Sequence, residues 1–227
     1  MQLKEIIVRL VTRQEHAHYH KLMQDHHYLG SAYPVGETLH YVAIWRTQWI
    51  ALLSFSSAAL KCAPRDKWIG WCYRHQFDRL NLVTNNSRFL ILPQWHTPNA
   101  ATRILSLCQR RLQVDWMQHF HHPLLLLETF VDPQHFNGTI YRAANWTLLG
   151  STKGFRRASA QGYQPNASPK LVFVYALQRN AQHLLSQSYL NPAYQYGTPK
   201  LMLTASQMNA LPTFFKSIPD PRRTQGR

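Results

Sequence analysis

Apolar positions alternate from Glu5 to Val11, with Ile6, Val8 and Leu10 set against Ile7 and Arg9, and this period of two predicts a first strand. Thr12-Arg13-Gln14-Glu15 then forms a capping box in which Glu15 reaches back to the free Thr12 amide, so a helix is expected from Arg13 to His27, stopping at Gly30. Thr38 to Trp45 and Trp49 to Ser57 read as strands, and the short Arg46-Thr47-Gln48 link predicts an antiparallel hairpin. Ala58 to Ser87 is less regular, with a Trp68-Ile69-Gly70-Trp71 knot and a short helix from Arg74 to Leu82. Arg88 to Trp95 is a compact strand. From Pro98 to Phe120, Ala101, Ile104, Leu105, Cys108, Leu112 and Trp116 recur at helical spacing.

Leu124 to Val131 is apolar except for Glu128, as expected of a strand buried on both faces. Asp132-Pro133 makes an N-cap and first-turn proline for a helix striped by Phe136, Ile140 and Ala144. Strands at Thr147 to Arg156 and Lys170 to Leu177 close the pattern. After Arg179 no period survives, so residues 181–227 are expected to be a polar, basic tail or docking segment behind a domain of residues 1–180. The sum, β-α-β-β-β-α-β-α-β-β with an irregular stretch in its middle, is an α/β fold on a mixed, partly antiparallel sheet.

Composition narrows the class. With 45% hydrophobic and 12% aromatic residues the chain can bury a core. It has no apolar run of the roughly 18 residues that span a bilayer, and no apolar leader at Met1 to Arg13. Cys62, Cys72 and Cys108 include no Cys-x-x-Cys pair, which argues against a disulfide scaffold or thiolate zinc site. A cytoplasmic protein without membrane attachment is the expectation. Charge changes the picture more: 25 Lys and Arg face 10 Asp and Glu, a net +15. Between Pro133 and Pro219 no acid occurs, while Arg142, Lys153, Arg156, Arg157, Lys170, Arg179, Lys200 and Lys216 do. Such a field attracts phosphates, of nucleic acid or of a phosphorylated cofactor, and weakens with salt.

The element order is similar to the GNAT N-acyltransferase fold. That resemblance implies that Leu90 to Arg103 is the cofactor-binding turn, with Asn99 and Arg103 as its binding residues, and that Tyr141 is the tyrosine near the acyl sulfur. One departure weakens the case for a coenzyme A thioester: the family's loop carries glycines, and this chain has none between Gly70 and Gly138.

A more specific likeness runs from about Lys21 to Arg157. His27-Tyr28-Leu29-Gly30, Arg65-Asp66 with Ile69-Gly70-Trp71, and Asn85 through Ile91 resemble the Druantia DruA-like family. So do Asp115-Trp116, Glu128-Thr129-Phe130-Val131-Asp132, Tyr141-Arg142-Ala143-Ala144-Asn145-Trp146 and Leu149-Gly150-Ser151-Thr152. The resemblance implies an anti-phage or mobile-element setting, with DNA, transposase or defence proteins as partners, and supplies no reaction. Leu211-Pro212-Thr213-Phe214-Phe215 through Ile218-Pro219-Asp220-Pro221-Arg222-Arg223 resembles the opening of a transposase-associated segment in the H-repeat group, which implies a truncated fusion or a transposase accessory protein.

Glu128 is the leading candidate for chemistry. A carboxylate in a buried strand must be paired, protonated or near an open end, so it is either a general base or an arginine partner. His27 joins it because its helix ends at a loop near the sheet's edge, and Tyr141 through the fold resemblance. Arg88, Arg142, Asn145, Lys153, Arg156 and Arg157 are the candidate nucleic-acid contacts, since arginine forks suit phosphates and asparagines suit bases. Asp66, Glu128 and Asp132 would form a Mg²⁺ nuclease site only if they converged. His16 and His20 have the i, i+4 spacing of zinc ligands without the acid of a His-Glu-x-x-His enzyme, so no metal site is assigned.

Overall fold

A computed structural model describes residues 1–31, 34, 36–154, 156–159, 162–164 and 168–195. The segment resembling the H-repeat group lies outside the described residues. Six strands of the main sheet join β1 (Ile6–Leu10), β2 (Thr38–Trp45), β3 (Gln48–Ser57), β4 (Val83–Ile91), β5 (Leu126–Val131) and, after the first helical units, β6 (Thr147–Ser151). With β9 (Leu171–Ala176) they form a seven-stranded sheet in the order β1-β2-β3-β4-β5-β9-β6. Only β4 and β5 pair in parallel; the other neighbours are antiparallel. This is the mixed α/β architecture that the apolar pattern predicts.

Helices cover both faces. The helix α1 (His16–His26) follows a 3₁₀ turn whose capping box is formed as expected, with the Thr12 amide donating to Glu15 at 2.9 Å. Tyr19 and Met23 of α1 pack on Val42, Leu52, Leu90 and Leu92. The long helix α4 (Ala100–Phe120) packs Ile104, Leu105, Cys108, Leu112 and Trp116 on Tyr41, Ala43, Ala51 and Leu53. Val42 alternates with Tyr41 and Ala43 along β2, so the two helices lie on opposite faces of the sheet.

Several elements differ from the expectation, each for a local reason. The stretch after Ala58 contains two helices, α2 (Ala63–Ile69) and α3 (Tyr73–Arg79), separated at Gly70, which takes φ +76°. β4 starts five residues before Arg88, because the polar run Thr84-Asn85-Asn86 finds partners inside the sheet: Thr84 Oγ1 donates to the Ser56 carbonyl and Asn86 Nδ2 to that of Ser54. Asp132 caps no helix. Its Oδ1 accepts from the Gln134 amide to close a turn, and α5 (Thr139–Ala143) begins only after Gly138. A β-carbon at Gly138 would sit 2.6 Å from the Phe173 ring, so the chain there needs glycine. The strand expected over Thr147 to Arg156 stops at Ser151, and β7 (Arg156–Ser159) pairs with β8 (Gly162–Gln164) in a separate ribbon. Past Arg179, where the sequence has no period, α6 (Ala181–Ser186) buries Ala181, Leu184 and Leu185 against Leu126 and Val174.

Candidate functional site

The site is made by two parallel strands that part company. β4 and β5 are in register only at Val83–Leu126, Thr84–Leu127 and Asn85–Glu128. There β4 bulges: Phe55 faces Asn86 and Ser54 faces Arg88, leaving Ser87 as the extra residue. A bulge bends its strand and increases its twist, so from Asn86 to Ile91 the β4 edge facing β5 has no strand on it among the described residues. The gap is a cavity of about 480 Å³. On one face of the sheet it meets the end of α1 at His27 and Tyr28; on the other it reaches Ala101 in the first turn of α4.

Polar groups fix the walls. The Tyr141 hydroxyl donates to Asn86 Oδ1 at 2.8 Å and lies 3.4 Å from Thr129 Oγ1, which itself donates to the Asn86 carbonyl. This triangle ties α5, β4 and β5 together where the strands diverge. Burial pushes the Tyr141 phenol up to about 12, so it stays protonated at neutral pH. His27 is drawn down to about 4 by burial and by the neighbouring Arg88 charge. Its Nδ1 accepts from the Leu29 amide at 3.1 Å, which leaves the proton of the neutral ring on Nε2. Arg88 is half-buried, and burial lowers its pKa; Nε donates to the Gly30 carbonyl at 3.2 Å and Nη1 to that of Ser87 at 2.7 Å. Ser87 Oγ is buried without a partner. Asp132 is the one carboxylate among the described lining residues.

An aromatic ladder stands at the mouth. His27 stacks on Tyr28 with centroids 4.9 Å apart, Tyr28 stacks on His135 at 4.7 Å, and Phe136 meets Tyr28 edge-on at 5.5 Å.

The cavity therefore brings together His27, Arg88 and Tyr141, and leaves Glu128 outside. Glu128 is fully buried, with Oε2 accepting from Arg65 Nη1 at 2.7 Å and Oε1 from the Ala59 amide at 2.8 Å. Burial holds its carboxyl above the usual range against the pull of Arg65. Asp66 binds the same guanidinium at 2.8 Å and accepts from Trp71 Nε1. So two of the three carboxylates weighed for Mg²⁺ meet on Arg65 while Asp132 lines the cavity; among the described residues they do not converge. His16 and His20 stand near His40, with centroids 5.6 and 5.3 Å from it, and no set of metal ligands arises there among the described residues.

The remaining candidates scatter. Asn99, exposed, precedes α4 at φ +62°, and Arg103 is half-buried on the first turn. Arg142 is exposed over the Phe173 ring, and Lys153 is exposed. Asn145 is exposed and takes φ +63° in the turn before β6, a conformation asparagine tolerates better than most residues. The side chains of Arg156 and Arg157 lie outside the described residues. Ser87 and Thr129 carry no chemical signal of their own in the sequence, and Asp132 reads there as a cap or as one ligand of a Mg²⁺ site. Only their place within the family-like runs marks them.

The family model of Druantia protein DruA matches residues 2–161. No curated protein matches the chain. Among solved structures, spermidine N-acetyltransferase from Vibrio cholerae, in complex with CoA and spermine, is similar with a TM-score of 0.50 and 8% identity, over 77% of this chain and 96% of that one. Ribosomal-protein-S5-alanine acetyltransferase from Vibrio fischeri gives a TM-score of 0.47 and 12% identity, over 79% of this chain and 97% of that one. The sheet is the GNAT sheet; at this identity the likeness is one of fold.

Proposed function

The chain belongs to the Druantia DruA antiviral-defence family and has the GNAT fold, and we propose that it is a coenzyme A-dependent N-acyltransferase whose acceptor is carried by nucleic acid. The observation that carries this reading is the open β4 edge beyond the Ser87 bulge. Its backbone groups offer hydrogen bonds to an extended, amide-bearing chain, and the partnerless Ser87 hydroxyl offers one more. At the α4 end, Asn99 holds by itself the left-handed conformation that a glycine would ordinarily supply; the Ala100 amide is taken by the Thr97 carbonyl and the Arg103 amide by that of Asn99, so the amides of Ala101 and Thr102 are the ones left for a ligand. Arg103 beside them would meet a pyrophosphate. A thioester held there would supply an activated acyl group to the amine, coenzyme A leaving as its free thiol. Asp132 is the group able to take the proton that an attacking amine sheds. His27, neutral, presents an Nε2 donor, and Tyr141 ties the two strands together where they begin to diverge.

Nucleic acid as the carrier follows from charge: +15 overall, with no acid between Pro133 and Pro219. Calorimetry with acetyl-coenzyme A tests the acyltransferase reading. Saturable binding is expected, weakened by Arg103→Gln. No heat at millimolar ligand overturns it.

A further inference from the structure

The geometry points to the α1 end of the cavity as a nucleotide site, in which Arg88 and Ser87 hold a phosphate and the exposed Phe136 ring, braced by Tyr28, packs on the base. This rests on the acyltransferase reading only in treating that end as the acceptor's.

Among the described arginines withdrawn from water, Arg88 and, at the α4 end, Arg103 differ from the rest in having no carboxylate partner or filled fork. Arg65 is matched by Asp66 and Glu128, Arg111 by Asp115, and Arg9 by Glu15. Arg79 has no ion pair among the described residues, but its fork is filled by the carbonyls of Leu185, Gln187 and Ser188 at the end of α6. Arg88 is half-buried with two neutral carbonyls as partners, and among the described residues no carboxylate lies within ion-pair distance and Nη2 makes no hydrogen bond. A cation partly withdrawn from water and not neutralised is unfavourable unless an anion arrives. Ser87, its neighbour at the bulge, lines the same cavity with a buried hydroxyl that lacks a partner. A guanidinium and a hydroxyl lining one cavity suit the oxygens of a phosphate.

The rest of the mouth says what the phosphate is attached to. Tyr28 is 40% exposed and Phe136 55% exposed, although both are large aromatic rings beside a cavity. Tyr28 is stacked between His27 and His135, so its faces are taken, whereas Phe136 meets Tyr28 edge-on at 5.5 Å and keeps ring surface turned outward. Flat aromatic surface within reach of a phosphate anchor is the pairing that nucleotides satisfy, the base stacking while the phosphate is held. A polyamine, the opposite charge class, would meet the Arg88 charge instead. Asp132 on the facing wall can accept a hydrogen bond from an amino group of the base. The source is either a free nucleotide or a nucleotide within a single strand.

Calorimetry on the full chain without coenzyme A tests this, with deoxycytidine monophosphate, deoxycytidine and a short oligodeoxycytidylate as probes. The monophosphate is expected to bind at least about tenfold more tightly than the nucleoside, the worth of a charged hydrogen bond. Arg88→Gln should erase that preference, and Phe136→Ala, at an exposed position, should weaken nucleoside and nucleotide alike by about tenfold. Tighter binding of the oligonucleotide than of the monophosphate assigns the strand as the ligand; equal binding assigns the free nucleotide. If the nucleoside and its monophosphate bind equally, or neither binds, the site is refuted. It is also refuted if the preference survives in folded Arg88→Gln, or if saturating acetyl-coenzyme A competes the nucleotide away, which would put it at the α4 end. Should Arg88→Gln not fold, the wild-type phosphate preference and Phe136→Ala decide. Nucleotide binding without acetyl-coenzyme A binding removes the acyltransferase reading and leaves this one standing; the reverse result does the opposite.

Discussion

Glu128 and Asp132 belong to one short run, yet the sheet sends them to different surroundings. Glu128 lies within the part of β5 that is still paired with β4, opposite Asn85, and is sealed there beneath Arg65. Asp132 follows the last residue of the strand, after the two strands have diverged, and so reaches the cavity. The sequence shows that a carboxylate in Leu124 to Val131 must be paired or protonated; it does not show that the partner is an arginine 63 positions away. Because Arg65 is also fully buried, removing the Glu128 charge leaves a cation short of compensation. Glu128→Gln is expected to lower folding stability by about 3–5 kcal/mol, the cost of breaking a buried pair from one side. Urea denaturation reads this directly. Unaltered stability would return Glu128 to the list of groups held for chemistry.

At the scale of elements, the turn into α4 is the instructive case. A glycine-free loop reads as unable to wrap a pyrophosphate, because only glycine visits the left-handed region at no cost. Asn99 visits it at φ +62°, and asparagine is the side chain that does so with least penalty after glycine. Replacing it by alanine should destabilise the protein by about 1–2 kcal/mol, the left-handed penalty of an ordinary L-residue, while Asn99→Gly should be nearly neutral. Thermal melting of the two variants separates them, and equal losses would mean that the asparagine side chain, not its backbone, matters. The same contrast describes how much was legible. Helices and strands with a clear period, α1, α4 and β1 to β3, stand where alternation and capping predict. The site does not announce itself, because it is built by a bulge. Thr84-Asn85-Asn86-Ser87 reads as a polar loop, and its place inside a strand depends on partners for Thr84 at Ser56 and for Asn86 at Ser54 and Tyr141 that only the folded sheet supplies. His27, Arg88 and Tyr141 were recoverable from family-like runs; their meeting on one cavity comes from the divergence of β4 and β5.

For the whole molecule, the pairing of the acids explains the field. Glu15 is bound to Arg9, Asp66 and Glu128 to Arg65, Asp115 to Arg111, and Glu37 to His122. Half of the ten acids thus serve internal contacts, and the surplus of 25 Lys and Arg over 10 acids is left for solvent and partners. Arg142 and Lys153 represent that surplus on described, exposed positions close to β6. If they contact a nucleic-acid backbone, each releases counterions, and the logarithm of affinity falls linearly with the logarithm of salt concentration. Changing both to glutamine should weaken binding to single-stranded DNA across sequences alike and flatten that slope by about 1 for each residue. A salt titration by fluorescence anisotropy measures it. An unchanged slope would move the contact surface away from β6 and toward the other basic residues of the acid-free stretch, whereas a loss of affinity confined to one sequence would make these two side chains readers of bases and not holders of phosphate.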